Sequence, residues 1–364
     1  MVIDADGHLF ETEAVFLKYM AADFRAYRPR LITDDEGHSF WVADGSTRYR
    51  RPGQPGARNP GTAAPPTGKV GKSRRASVGS QVLSDVAERL EDLDKENIDV
   101  QYLYPSYLLH INSWTDGVLG NEVCRAYNTW LAEMCGEAPD RLKGVGLVCL
   151  ADPAGAAREV VHIRELGLSA VMVNGTVGAR ALAHPEHEGF FAAADGAALP
   201  IAVHFSYEFP GVSDLFADFF PTRVLAGMFP IMAGFTSVLC TGLMDRYPRL
   251  RFAFLEGGCN WAASFVERMD EHYESPAYRA AEVISQKPRE LLDSGRIFFG
   301  CEGNEPGLGK VIEEIGEDKL LYSSDYPHGD RTDGTVALLR QRSDVSGSAK
   351  TGILEGNARN FYGE

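Results

Sequence analysis

Four short apolar runs in this chain each end in residues that could do chemistry. The first is Ile3-Asp4-Ala5-Asp6-Gly7-His8, the second closes on His204 after Ile201-Ala202-Val203, the third on Glu256 after Phe252-Ala253-Phe254-Leu255, and the last on Asp325 after Ser323-Ser324. Alternation along an extended segment sends Asp4, Asp6 and His8 to one side. Imidazole and carboxylate are the donors that divalent cations take. Singly, each residue has an ordinary explanation: Asp6 can cap a loop, His204 can be a satisfied core histidine, and Glu256 can pair with a buried arginine. Gathered in a dry interior they cannot all be ordinary, because unpaired ionised groups there are costly unless a cation or a hydrogen-bond network neutralises them. Asp6, His8, His204, Glu256 and Asp325 are therefore the expected ligands of one or two divalent ions, zinc, iron or manganese. Asp325 and Glu256 are also the candidates for moving a proton.

Such a site needs elements that bring the four runs to one place. Strand-like segments are read at Val2–His8, Val100–Tyr104, Gly144–Leu150, Ala170–Asn174, Ile201–His204, Arg251–Glu256, Ile297–Cys301 and Leu320–Ser324, separated by helical patterns such as Leu83, Val86, Leu90 and Leu93. Eight strands alternating with helices predict the α/β class and a closed (β/α)8 TIM barrel forming one domain over residues 1–364. Barrels of this kind run to roughly 250 residues and exceed 400 with insertions. The rival, a doubly wound open sheet, needs fewer strands and usually a glycine-rich first turn, which is absent. Barrel chemistry gathers at the carboxyl ends of the strands, where the ionisable residues fall.

Composition narrows the function. The 364 residues carry a net charge of −15, which argues against nucleic acid as a partner. The opening Met-Val-Ile-Asp-Ala-Asp-Gly-His lacks the basic or apolar start of a targeting peptide, so a cytoplasmic protein is expected. Val224 to Met244 is uncharged and long enough to span a bilayer, but Pro230 and three glycines make it read as a buried helix, and no membrane is expected. The six cysteines lie far apart, as reduced thiols do. No Gly-x-Ser-x-Gly elbow occurs, and Gly71-Lys72-Ser73 has Pro66 where a phosphate-binding loop needs its first glycine.

Residues 45–80 break the pattern. Eight arginines and lysines, no acid, seven glycines and five prolines read as a basic loop inserted after the first strand. Its ends emerge on the active face, where Arg74 and Arg75 are expected to bind an anionic substrate.

The chain resembles the amidohydrolase-related (amidohydrolase-2) family of the metal-dependent amidohydrolase superfamily, which includes aminocarboxymuconate-semialdehyde and resorcylate-type decarboxylases. The resemblance rests on Ile3 to His8, on residues 126–148 with AYNTWLAEM and APDRLKGVGLV, on LPIAVHF at 199–205, on DRYPRLRFAFLEGGCNWAAS at 245–264, and on LYSSDYPHGD at 321–330. It implies that Asp6 and His8 take the paired first-strand ligand positions, that His204 and Asp325 are the fifth- and eighth-strand ligands, and that Asp4 supports them. His110, Tyr207, Trp261, Glu302 and His328 are expected to line the substrate site of a homodimer acting on a small molecule. Glu256 stands where the best-known decarboxylases have a histidine. A glutamate suits water activation, so the expected reaction is hydrolysis of an acyl bond (thioester, ester, lactone or amide) by metal-activated water, coenzyme A thioesters being one fitting substrate. The alternatives are non-oxidative decarboxylation of an aromatic or unsaturated acid, and a catalytically silent binding protein.

Overall fold

The computed structural model describes residues 1–33, 35, 39–43, 46–47, 69–70, 74–206, 209–329 and 331–364. Numbering only the barrel strands, β1 (Ile3–Leu9), β2 (Val100–Pro105), β3 (Leu142–Leu147), β4 (Ala170–Asn174), β5 (Ile201–His204), β6 (Phe252–Leu255), β7 (Ile297–Cys301) and β8 (Leu320–Tyr322) lie in chain order in one eight-stranded sheet. Each neighbouring pair is parallel. The helices between them complete a (β/α)8 TIM barrel, as the alternation of strand and helix patterns predicts. Every residue of β4 to β7 is buried, which is why these strands are nearly continuous apolar runs. Several outer helices begin where an aspartate caps the first turn: Asp85 accepts from Glu88 N, Asp116 from Leu119 N and Asp152 from Gly155 N.

The last seam closes just beyond β8. Asp325 N donates to Asp6 O at 3.1 Å and His8 N to Tyr326 O at 2.5 Å. Asp4 reinforces the join by accepting from both Ser324 N (2.9 Å) and Ser324 Oγ (2.5 Å).

Strict alternation fails in β1. Asp4 lies opposite Gln101 but Gly7 lies opposite Leu103, so β1 carries one residue more than its partner across this step. Asp6 within the bulge and His8 beyond it still reach a common cluster. Asp4 does not join them; it accepts from Gln101 Nε2 at 2.6 Å and from Ser324.

The basic insertion also differs from a plain loop. Its described parts include Ser46–Thr47, which extends an antiparallel sheet of Arg30–Thr33 and Ser39–Ala43. Lys69–Val70 pairs with Arg74–Arg75, and a short helix, Val78–Gln81, is capped by Ser77. Glycine and proline mask such short pairings in the sequence. The stretch read as one buried helix is three, Phe219–Ala226, Phe229–Cys240 and Leu243–Arg246. Phe219–Cys240 is apolar and long enough to cross a membrane by composition, and half of its most apolar window is buried. Ile231, Phe235, Val238 and Leu239 are in the core, whereas Phe220 and Val224 are exposed.

Gly7 is what the bulge requires. A Cβ there would sit 2.2 Å from Gln101 Nε2, and Gln101 is held in place by Asp4 and by Arg89. Gly7→Ala is expected to destabilise the fold by about 1–3 kcal/mol through overpacking, read as a lower urea midpoint at unchanged slope. A change under about 0.5 kcal/mol would show that the bulge tolerates a side chain.

Candidate metal centre

Asp6 and His8 arrive on β1, His204 on the last residue of β5, Glu256 directly after β6 and Asp325 three residues after β8. His204 Nε2 lies 3.1 Å from Asp6 Oδ1 and 3.7 Å from Glu256 Oε2. His8 Nε2 lies 3.4 Å from Asp6 Oδ1, 3.6 Å from Asp325 Oδ1 and 3.9 Å from Glu256 Oε2. All five residues expected as ligands are thus brought together at the carboxyl end of the barrel. Glu256 and Asp325 stand at φ 58° and 53°, left-handed backbone that costs a non-glycine residue on the order of 1–3 kcal/mol.

His8 is pre-oriented. Its Nδ1 lies 2.8 Å from Pro105 O, which can only accept, so Nδ1 carries the hydrogen and Nε2 turns its lone pair to the cluster. Burial lowers the basicity of this imidazole, as does His328, but Asp6 and Asp325 outweigh both and raise it above the usual value. Burial would likewise push the Asp6 carboxyl up, yet His204 and His8 hold it well below the carboxylate range. Asp4 is pushed up by burial, partly offset by Ser324 and Gln101. Three carboxylates, Asp6, Glu256 and Asp325, thus surround the His8 and His204 imidazoles.

The residues fit a cation. Asp6 Oδ2, His8 Nε2 and Glu256 Oε2 are buried ligand atoms without a hydrogen-bond partner among the described residues. Such atoms are uncommon unless something else satisfies them. Two imidazoles and three carboxylates suit divalent ions between hard and borderline, manganese, iron and zinc among them. A cation there takes the place of the protons that these groups otherwise compete for.

A cavity of about 350 Å³ opens on the cluster and is lined by Asp6, Glu256, Asp325, Arg223, Ser323 and Glu302 among others. Arg223, on Phe219–Ala226, pairs through Nη2 with Glu256 Oε1 at 3.1 Å and stacks over Phe205 at 3.9 Å. Sequence reasoning overlooked it, because a single arginine bordering a long apolar stretch carries no strand-end signature.

The expected substrate residues are placed as follows. Glu302 lines the cavity. His328 stacks on His8 with ring centroids 4.2 Å apart, bonds Asp325 Oδ1 through Nδ1 and Ser106 Oγ through Nε2. His110 follows β2 and bonds Ser206 Oγ at 3.1 Å. Trp261 does not line the cavity: its indole donates to Gly258 O and packs on Phe235 and Phe299. Tyr207 and the side chains of Arg74 and Arg75 lie outside the described residues. All six cysteines are free, and burial pushes the Cys259 and Cys301 thiols far up, which removes them as nucleophiles.

A 2-amino-3-carboxymuconate-6-semialdehyde decarboxylase of Dictyostelium discoideum is 23% identical over 283 residues, 76% of each chain. A gamma-resorcylate decarboxylase of Polaromonas sp. is 23% identical over 299 residues, 78% of this chain and 89% of that one. A dihydroxybenzoic acid decarboxylase structure from Polaromonas sp., with bound manganese and 2-nitroresorcinol, superposes with a TM-score of 0.71 at 20% identity over 100% of this chain and 96% of the other. These relatives are decarboxylases, and they overturn the expectation of acyl-bond hydrolysis and of a thioester substrate. That expectation rested on a glutamate suiting water activation, whereas half of the Glu256 carboxylate is engaged by Arg223. The sequence profile of the Amidohydrolase family matches residues 3–363, and the chain, an enzyme of the amidohydrolase superfamily, belongs to that family.

Proposed function

We propose that this protein is a divalent-metal-dependent decarboxylase that removes carbon dioxide, without redox change, from an aromatic or unsaturated carboxylic acid. The carrying observation is the buried cluster with three unpartnered ligand atoms that opens on a cavity lined by Arg223. On this reading Asp6, His8, His204 and Asp325 hold the ion, with Glu256 beside them. Manganese, the ion in the Polaromonas structure, suits so carboxylate-rich a set. When bound, the ion supplies positive charge for a carboxylate substrate and for the charge that develops as it reacts.

The chain's own residues supply the rest. Arg223 adds a second positive charge to the cavity wall and fixes Glu256 through Oε1. Cleavage of the carbon–carboxylate bond leaves its electron pair on carbon, carbon dioxide departs, and a proton must reach that carbon. Asp325 is the assigned relay: it takes up a proton from solvent by way of His328 and passes it to that carbon, a role supported by its place on the cavity wall and by its hydrogen bond to His328. His328 reaches Ser106 on its other side, which holds the ring edge-fixed beside Asp325.

Metal analysis tests the ligand set. After saturation with Mn²⁺ and desalting, His8→Ala and His204→Ala are expected to hold well under one ion per chain, while Glu256→Gln keeps one. Loss of all metal from Glu256→Gln, or full retention in both histidine variants, contradicts the assignment.

Turnover tests the reaction. The manganese-loaded protein, screened against gamma-resorcylate and other hydroxybenzoates, is expected to release carbon dioxide equal in amount to the decarboxylated product, and a chelator abolishes this. Asp325→Asn is expected to lower kcat by at least about 100-fold. Consumption of an acid without carbon dioxide, or release that survives complete metal removal, sinks the reading.

A further inference from the structure

A buried carboxylate close to the metal centre has no part in the reaction. Glu11, two residues beyond β1, is 4% exposed and accepts three backbone hydrogen bonds from the turn that leaves β2. Ser106 N at 3.2 Å and Tyr107 N at 2.9 Å meet Oε2, and Leu108 N at 2.9 Å meets Oε1. Burial pushes this carboxyl up, and the N–H groups pull it part of the way back. The turn runs into the 3-10 helix Leu108–Ser113, whose first N–H groups need acceptors, and Tyr107 before it gives no side-chain cap. Glu11 supplies that cap from another strand, with both oxygens engaged.

The clamped turn also carries the partners of two imidazoles. Pro105 O lies 2.8 Å from His8 Nδ1, and Ser106 Oγ lies 2.8 Å from His328 Nε2. The two rings stack with their centroids 4.2 Å apart. Their orientation thus comes from consecutive residues, and one side chain holds the N–H groups that follow. The segment bearing Glu11 is anchored in turn: Phe10 N donates to Gln81 O at 2.9 Å, and Arg89 donates to His8 O at 2.6 Å. The partner on the far ring nitrogen of a ligating histidine decides which nitrogen faces the ion and how basic it is. An amide could not replace the carboxylate, because glutamine offers one acceptor oxygen and turns its NH2 against the remaining N–H donors.

We propose that Glu11 is a positioning residue for the metal centre. By clamping residues 105–108 it sets the orientation and tautomer of His8 through Pro105 O, and the orientation of His328 through Ser106 Oγ. The proposal rests on the reading of His8 as a metal ligand.

Glu11→Gln, which keeps the volume and removes the charge, tests it. Glu11→Asp, which keeps the charge and draws it back by one methylene, serves where Glu11→Gln does not fold. Two quantities are read on the full chain. The first is the Mn²⁺ dissociation constant, by calorimetry after chelator treatment and desalting. The second is the set of ring signals of His8 and His328, by NMR of the zinc-loaded protein labelled with ¹⁵N-histidine, zinc being diamagnetic. The wild type is expected to show a slowly exchanging Nδ1–H signal for His8. The variant is expected to bind Mn²⁺ about 10- to 100-fold more weakly, the range typical for losing a partner behind a metal ligand, and to lose or shift the ring signals of both histidines. A residue that serves only the fold would lower the urea midpoint and leave both readouts in place. The proposal is overturned if the folded variant loses less than about tenfold in Mn²⁺ affinity, if the ring signals stay unchanged, or if neither variant folds, since Glu11 is then a structural residue. A wild type that takes up no Mn²⁺ overturns the metal centre together with this proposal, whereas equal Mn²⁺ binding by wild type and variant overturns this proposal alone.

Discussion

The mouth of this barrel depends on the seam between β8 and β1. Two backbone hydrogen bonds, Asp325 N to Asp6 O and His8 N to Tyr326 O, join the very residues that carry three of the candidate ligands. The geometry of the cluster is therefore fixed by closure of the barrel. Behind the seam, Arg89 is fully buried and donates to His8 O, to Ser80 O and twice to Gln101 Oε1, and Gln101 in turn donates to Asp4. Tyr326, under the Arg89 guanidinium, donates to Asp92. A buried guanidinium and buried carboxylates are tolerable only when such partners satisfy them, and once satisfied they hold one arrangement.

That seam explains why so much of the site is legible in the sequence. Asp6, His8, His204, Glu256 and Asp325 each end or follow an apolar run, and in a parallel barrel the carboxyl end of a strand is a defined place. What the sequence hides is whatever depends on a partner or on a single inserted residue. The β1 bulge leaves no periodic signature, so alternation alone sends Asp4 to the same side as Asp6, and the resemblance is what marks it as the supporting residue that it is, bound to Ser324 and Gln101. Arg223 borders an apolar stretch and becomes a site residue only because the fold brings it to Glu256. Trp261 follows a strand end as a substrate-lining residue would, yet its ring completes an aromatic cluster with Phe235 and Phe299.

Glu256 shows how a residue type misleads when read alone. A glutamate in place of a histidine suggests a base for water, and hence hydrolysis. In the folded chain its two oxygens have separate tasks: Oε1 meets Arg223, and Oε2 faces His8 and His204. The strained backbone at Glu256 and Asp325 points the same way, since left-handed φ at two non-glycine residues is retained where a side chain must be aimed. Among the described residues, Arg223 is the one basic residue on the wall of a cavity of about 350 Å³ that also carries Asp6, Glu256 and Asp325, which suits an anion held against a cation.

On the proposed reading, one divalent ion is held between Asp6, His8, His204 and Asp325. The most direct measurement is an anomalous difference map from crystals of the manganese-loaded protein, collected on either side of the manganese absorption edge. One strong peak is expected within coordinating distance of those four side chains. A map without a peak there, or with its main peak on residues outside this cluster, would contradict it.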